Sequence, residues 1–233
     1  MLEDLLRNGF NALEISYDRM VLERFRTYYT LLDERGRQMN LTAIRGEDEV
    51  AVLHFLDCAA ILKLANWESK RVLDVGSGAG FPGIVLKILN PSVDLSLLDS
   101  LNKRVLFQKE VCDALGFTDV RCLSMRAEDA PAEMRETFDL VVSRAVARLN
   151  LLAELCIPFV RSGGHFLAMK GAAAEEELEE ARDAFRILGS SASLLSYSVP
   201  GLEASRALID AIKISSTPSR YPRAFGQMKK KPL

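Results

Sequence analysis

The chain has 233 residues, a formal net charge of −2, 48% hydrophobic and 27% charged residues, the balance of a globular domain with an appendage and an ample core. Its apolar runs are too short to cross a bilayer, and Glu3 and Asp4 stand where a signal peptide wants positive charge. Cys58, Cys112, Cys122 and Cys156 form no CxxC pair and there are only two histidines, which speaks against a disulfide frame or a metal site and for a reducing cytoplasmic setting.

In chain order, residues 16–38 are predicted helical, because Met20, Phe25, Tyr28, Leu31 and Leu32 fall near helical spacing. Asn40-Leu41-Thr42 breaks this helix, and a second covers residues 47–65, where His54 and Asp57 sit about one turn apart on one face. Residues 1–66 therefore read as an N-terminal helical cap packed on an α/β unit of residues 67–233. In that unit strands at 72–75, 94–98, 120–123 and 140–143 alternate with helices at 84–89, 103–115 and 151–159. Ser162-Gly163-Gly164 leads into a strand at 165–169, a charged helix spans 173–188, and strands near 194–199 and 207–214 close the chain as an antiparallel hairpin. The expectation is an α/β, Rossmann-like, mostly parallel seven-stranded sheet of the class I S-adenosylmethionine-dependent methyltransferase type.

The first strand carries Asp74 and runs into a turn in which Gly76, Gly78 and Gly80 alternate with other residues. Missing Cβ atoms and free access to positive φ let backbone approach a ligand there. The spacing is G-x-G-x-G, not the G-x-G-x-x-G of a dinucleotide site, and an acid two residues before the first glycine would repel a pyrophosphate. It suits S-adenosylmethionine, which has an amino group and a sulfonium. Asp99 ends the second strand and can accept from both ribose hydroxyls, unless it or Ser100 merely caps the following helix. Arg126-Ala127-Glu128-Asp129 occupies the matching edge after the third strand, for the adenine ring and amino group or as a plain surface loop.

At the end of the fourth strand no Asn/Asp-Pro-Pro-Tyr/Phe run waits for an exocyclic amine, and no Pro-Cys or Thr-Cys pair offers a thiolate. A ring nitrogen with a free lone pair, such as guanine N7, needs neither device. Arg144 there could meet cofactor, phosphate or base, or form an ion pair with Asp139 or Glu128. Lys170 would bring a cation to the mouth of the site, to a phosphate, a base carbonyl or solvent alone. From Ala211 to Leu233 stand six basic residues and no acidic one, a tail open to RNA contact or to mere solubility.

Met39-Asn40-Leu41-Thr42, His54-Phe55-Leu56-Asp57, the run from Asp74 to Gly83, Leu98 to Arg104, Arg126-Ala127-Glu128, Ser143 to Ala147, Met169-Lys170-Gly171 and Tyr221-Pro222-Arg223 together resemble the glucose-inhibited division protein B family of bacterial small-subunit ribosomal RNA guanine-N7 methyltransferases. Cys58 departs from the serine expected after His-x-x-Asp, though it keeps a small residue. The resemblance implies that Gly76, Phe81, Asp99, Ser100, Leu101, Ala127, Glu128 and Arg144 line the cofactor site, joined on the reading above by Asp74 and Gly78. It implies methylation of N7 on one guanosine near the decoding centre of 16S ribosomal RNA, in the bacterial cytoplasm; the residues leave open whether that RNA is naked, in an assembling particle or in the mature small subunit, and leave the oligomeric state open with a monomer favoured. Arg144, Lys170, Asn40 and His54 are the expected acceptor-side residues, with Phe81 a candidate to stack the base. A dinucleotide oxidoreductase, a non-catalytic ribosome-assembly factor and a small-molecule methyltransferase remain open on the residues alone.

Overall fold

The computed structural model describes residues 1–39 and 41–233, excluding the side chains of Arg37 and Gln38. Seven strands form one sheet: β1 (Arg71–Val75), β2 (Asp94–Asp99), β3 (Arg121–Ser124), β4 (Phe138–Arg144), β5 (Val160–Lys170), β6 (Ser190–Val199) and β7 (Leu202–Lys213). Their order is β3-β2-β1-β4-β5-β7-β6. The first five run parallel, and β7 lies antiparallel to both β5 and β6. The central strands are buried on both faces, which is why they read as apolar runs without alternation. Strand order reverses between β1 and β4, so the crevice past their C-terminal ends is where such a sheet takes a ligand. Ser143 Oγ donates to the Val75 carbonyl at 2.8 Å and fastens the two strand ends together.

One face is covered by α1 (Leu2–Ala12), α2 (Arg19–Met39), a run over residues 47–64, α5 (Gly83–Leu89) and α6 (Asn102–Ala114); the other by α7 (Leu149–Cys156), α8 (Ala174–Ile187) and α9 (Phe225–Lys230). The run over residues 47–64 comprises α3 (Glu47–Val50), a wide π turn (Ala51–Leu56), α4 (Asp57–Ala60) and a 3₁₀ turn (Ile61–Leu64). Phe10, Phe25, Phe55, Tyr28 and Phe81 form a chain of ring contacts at 4.9–5.5 Å from the N-terminal helices to the glycine turn. Each buried ring is worth roughly 1.5–3 kcal/mol, so the N-terminal helices share the core of the sheet.

Three differences from the sequence expectation have physical causes. Helix α1 precedes the first predicted helix; Leu2, Leu6 and Phe10 recur at helical spacing within it and are fully buried. The short α9 lacks enough turns to show a period. Ser162-Gly163-Gly164 is not a lead-in loop but an irregular stretch of β5, with a register shift against β4 between Phe138 and Leu140. A Cβ on Gly164 would come within 2.6 Å of the Asp139 carbonyl, so glycine permits the close approach.

Candidate active site

Two clefts flank the crevice at the switch point. The first, about 340 Å³, is lined by Val75, Gly76, Leu98, Asp99, Ser100, Arg104, Met125, Arg126, Ala127, Glu128, Ala145, Val146, Leu155 and Phe225. Residues at the C-terminal ends of β1 and β2 and just past β3 line it. Asp99 is buried: Oδ2 accepts the Gly78 N–H and Oδ1 the Leu101 N–H, both at 2.9 Å. It thus holds the glycine turn and the entry to α6 at once; Oδ2 also accepts from Arg104 Nη1 at 3.4 Å, and Oδ1 keeps a further lone pair for a hydroxyl. Ser100 makes no cap to α6, whose N-cap is Leu101. Gln108 Nε2 donates to Ser77 Oγ and the Gly78 carbonyl from the far side.

Asp74 is fully buried beneath the turn and lines neither cleft. Its Oδ2 accepts the Gly83 N–H at 2.8 Å, while Oδ1 has no partner among the described residues. Burial pushes its carboxyl up to about 7, opposed by that N–H and by the Arg144 charge.

The second cleft, about 610 Å³, is lined by Ile44, Leu53, His54, Asp57, Arg144–Arg148, Met169, Lys170, Gly171, Glu177, Tyr197 and Arg206. Arg144 is its hub. Its Nη1 donates to the Leu53 carbonyl at 3.1 Å and to Asp57 Oδ2 at 3.4 Å, and Nη2 to His54 Nδ1 at 2.8 Å. Arginine only donates, so His54 Nδ1 is the acceptor and the ring proton sits on Nε2, donated to Thr42 Oγ1 at 2.9 Å. Burial and the neighbouring guanidinium lower the His54 pKa to about 3, which leaves the ring neutral. Asp57 Oδ1 accepts from the Tyr197 hydroxyl at 3.0 Å and from Arg206 Nε at 3.2 Å. Leu53 and His54 lie in the π turn, a distortion common where a helix serves a site. Lys170 is not a solvated lysine: its side chain is 9% exposed, and Nζ donates to Glu177 Oε2 and the Ala147 carbonyl at 2.7 and 2.8 Å.

The clefts share Ala145 and Val146. Ala145 has a left-handed backbone, φ 55°, and turns the chain across the glycine loop. A Cβ on Gly76 would meet Val146 Cγ2 at 2.4 Å, so that crossing requires glycine.

A family model described as rRNA small subunit methyltransferase G matches residues 21–209. The chain is 40% identical over 234 aligned residues to the ribosomal RNA small subunit methyltransferase G of Clostridium tetani, covering 99% of this chain and 98% of that one. It belongs to that family. A relative of the same name from Lachnoclostridium phytofermentans is 43% identical, covering 97% of this chain and 95% of its own. Among solved structures, M. jannaschii TYW2 in complex with AdoMet superposes with a TM-score of 0.53 at 13% identity, covering 66% of this chain and 73% of that one, a likeness of fold alone. The sheet is that of class I S-adenosylmethionine-dependent methyltransferases, as expected from the alternation of strands and helices.

Within this family member, Gly76, Asp99, Ser100, Ala127 and Glu128 meet in the first cleft, and His54, Arg144 and Lys170 in the second. Gly78 adjoins the first cleft through its N–H. Leu101 is 44% exposed and lines neither. Asn40 lies outside the described residues. Two expectations are corrected. Phe81 cannot offer a face to a base: it is buried, stacked against His54 at 4.4 Å and Tyr28 at 5.2 Å, with Arg144 over the ring. Arg144 pairs neither with Asp139 nor with Glu128. Asp139 lies five residues back along β4, roughly 17 Å away at about 3.3 Å per residue, and binds Arg161. Sequence reasoning missed Glu177, Tyr197, Arg206 and Phe225, which no local motif announces.

Among the described residues no group of His, Cys, Asp or Glu could hold a metal ion. The four cysteines are free, and among the described residues no helix is long and apolar enough to cross a membrane. The first cleft fits S-adenosylmethionine. Its volume falls within the roughly 300–1,000 Å³ of small-molecule sites, and Asp99 and Glu128 supply acceptors for hydroxyl and amino donors.

Proposed function

We infer that this protein transfers a methyl group from S-adenosylmethionine to N7 of a guanine in 16S ribosomal RNA or the small subunit, in the cytoplasm. The observation that carries the reading is the junction at Ala145–Val146, where a cleft bearing Asp99 and Glu128 abuts one in which four basic side chains outnumber the acids Asp57 and Glu177. Bound in the first cleft, S-adenosylmethionine supplies an activated methyl group on a sulfonium. Asp99 would accept from a ribose hydroxyl through Oδ1, Ala127 and Glu128 would flank the adenine, and the backbone beside Gly76 would receive the methionine portion.

On the acceptor side no residue has to take a proton, because guanine N7 carries none. The neutral His54, fixed between Thr42 and Arg144, suits positioning and not acid–base work. Three of the five Arg144 N–H donors are held by Leu53, Asp57 and His54, which leaves two to fix the base or its phosphate. Lys170 and Glu177 present a donor beside an acceptor, the pattern that complements guanine O6 and N1–H; adenine presents the reverse. A pinned lysine of this kind suits O6 better than a mobile phosphate. Positive charge moves onto the guanine ring as methyl is transferred, so cations belong at O6 or phosphate, away from the imidazole edge.

The test is methyl transfer from labelled S-adenosylmethionine to small subunits lacking this modification, followed by mass spectrometry of the RNA. A product methylated at guanine N7, lost with Asp99→Asn at limiting cofactor, is expected. Methylation at another atom, or tight cofactor binding with no turnover on naked RNA or particles, would overturn it.

A further inference from the structure

The segment after residue 209 lies beyond the match to the family model, yet it is bolted to the domain. Arg135 donates to the carbonyls of Thr217, Pro218 and Tyr221 at 2.5–3.2 Å. Arg223 donates through Nε and Nη2 to both oxygens of Glu154, whose side chain is 1% exposed, and through its backbone N–H to Oε1. Lys213 is buried against Glu136, the Ile157 carbonyl and Thr217. Met228 of α9 is fully buried in the core beneath. A tail held at this many points is not a solubilising appendage, and two of its six cations serve to anchor it.

The one large apolar side chain of α9 that stays exposed is Phe225, 37% accessible, and it lines the first cleft beside Met125, Arg126 and Leu155. The Arg126 guanidinium lies over its ring, 5.8 Å from the centroid, which biases the ring's orientation. We propose that Phe225 is the outer wall of the adenine end of the cofactor cleft, stacking on the purine ring that Ala127 and Glu128 approach from below. The inference rests on the reading of this cleft as the S-adenosylmethionine site. A flat ring tolerates any purine face and excludes water from it, while edge contacts to the amino group stay with the loop after β3.

The test is calorimetric titration of S-adenosylhomocysteine and of 5′-methylthioadenosine into the full chain and its Phe225→Ala, Phe225→Trp and Asp99→Asn variants. Phe225→Ala should weaken both ligands by the same factor, about tenfold, as expected for one lost stacking contact. Phe225→Trp should retain affinity, and the emission of the introduced indole should be quenched saturably by 5′-methylthioadenosine against the background of the buried Trp67. Unchanged affinity in Phe225→Ala, weakening of S-adenosylhomocysteine alone, or emission from Phe225→Trp that is blind to either ligand overturns the proposal. Asp99→Asn separates the two levels: if it too binds as wild type, the cofactor reading of the cleft fails. If only Asp99→Asn weakens binding, that reading stands and Phe225 is not part of the site.

Discussion

The cleft beside Gly76 is built around the ends of three neighbouring strands, whereas the cleft around Arg144 is held by side chains from residues as far apart as His54 and Arg206. In the first, Asp99 binds two backbone N–H groups, and sequence-local turns do most of the construction. In the second, one guanidinium and one carboxylate, Arg144 and Asp57, tie the N-terminal helices to β4, β6 and β7. A binding site for a universal ligand can be written in short motifs. A site for a particular acceptor here depends on a charge network that exists only once the whole chain is folded.

That contrast can be broken most forcefully through pH. Asp74, beneath the first cleft, has its pKa raised from 3.8 to about 7, so its contribution to stability is present below pH 4 and lost as pH rises toward 7. His54, in the second, is lowered from 6.5 to about 3, so its contribution is present above pH 6.5 and lost as pH falls toward 3. Each swing amounts to roughly 4–5 kcal/mol at most, and between about pH 4 and 6.5 they oppose one another. Wild-type stability should therefore be flat there relative to the single variants. Asp74→Asn should show stability rising with pH and His54→Gln stability falling, read from urea midpoints. Parallel profiles for all three proteins would refute the opposition.

Next in size, Arg144→Ala should slow single-turnover methyl transfer about a hundredfold by losing acceptor alignment. Its S-adenosylhomocysteine affinity should stay within about threefold of wild type, since Arg144 lines only the second cleft. Equal losses in both measurements would mean that the clefts are not separable. Asp99→Asn should do the converse: about a tenfold weaker ligand, from a lost charge-assisted hydrogen bond, with the rate at saturating cofactor little altered. The smallest effect is expected at the exposed Lys229, Lys230 and Lys231. Replacing them with glutamine should flatten the salt dependence of RNA affinity by about 0.7 in log–log slope for each lysine that meets a phosphate, and leave S-adenosylhomocysteine binding unchanged.

The sheet, its terminal hairpin and the glycine turn could be read from the chain because each is local: aliphatic runs, turn residues and helical spacing repeat within a few positions. For the same reason Gly76, Asp99, Ala127 and Glu128 could be assigned to one cleft, since parallel strands deliver their C-terminal ends to one edge. Only the tertiary structure decided that Phe81 is buried under His54 and Tyr28, that Arg144 pairs with Asp57, and that Glu177, Arg206 and Phe225 reach the clefts. Those contacts join residues up to 149 positions apart, as between Asp57 and Arg206. A lone arginine or phenylalanine carries no record of its partner; packing of helices against the sheet chooses it.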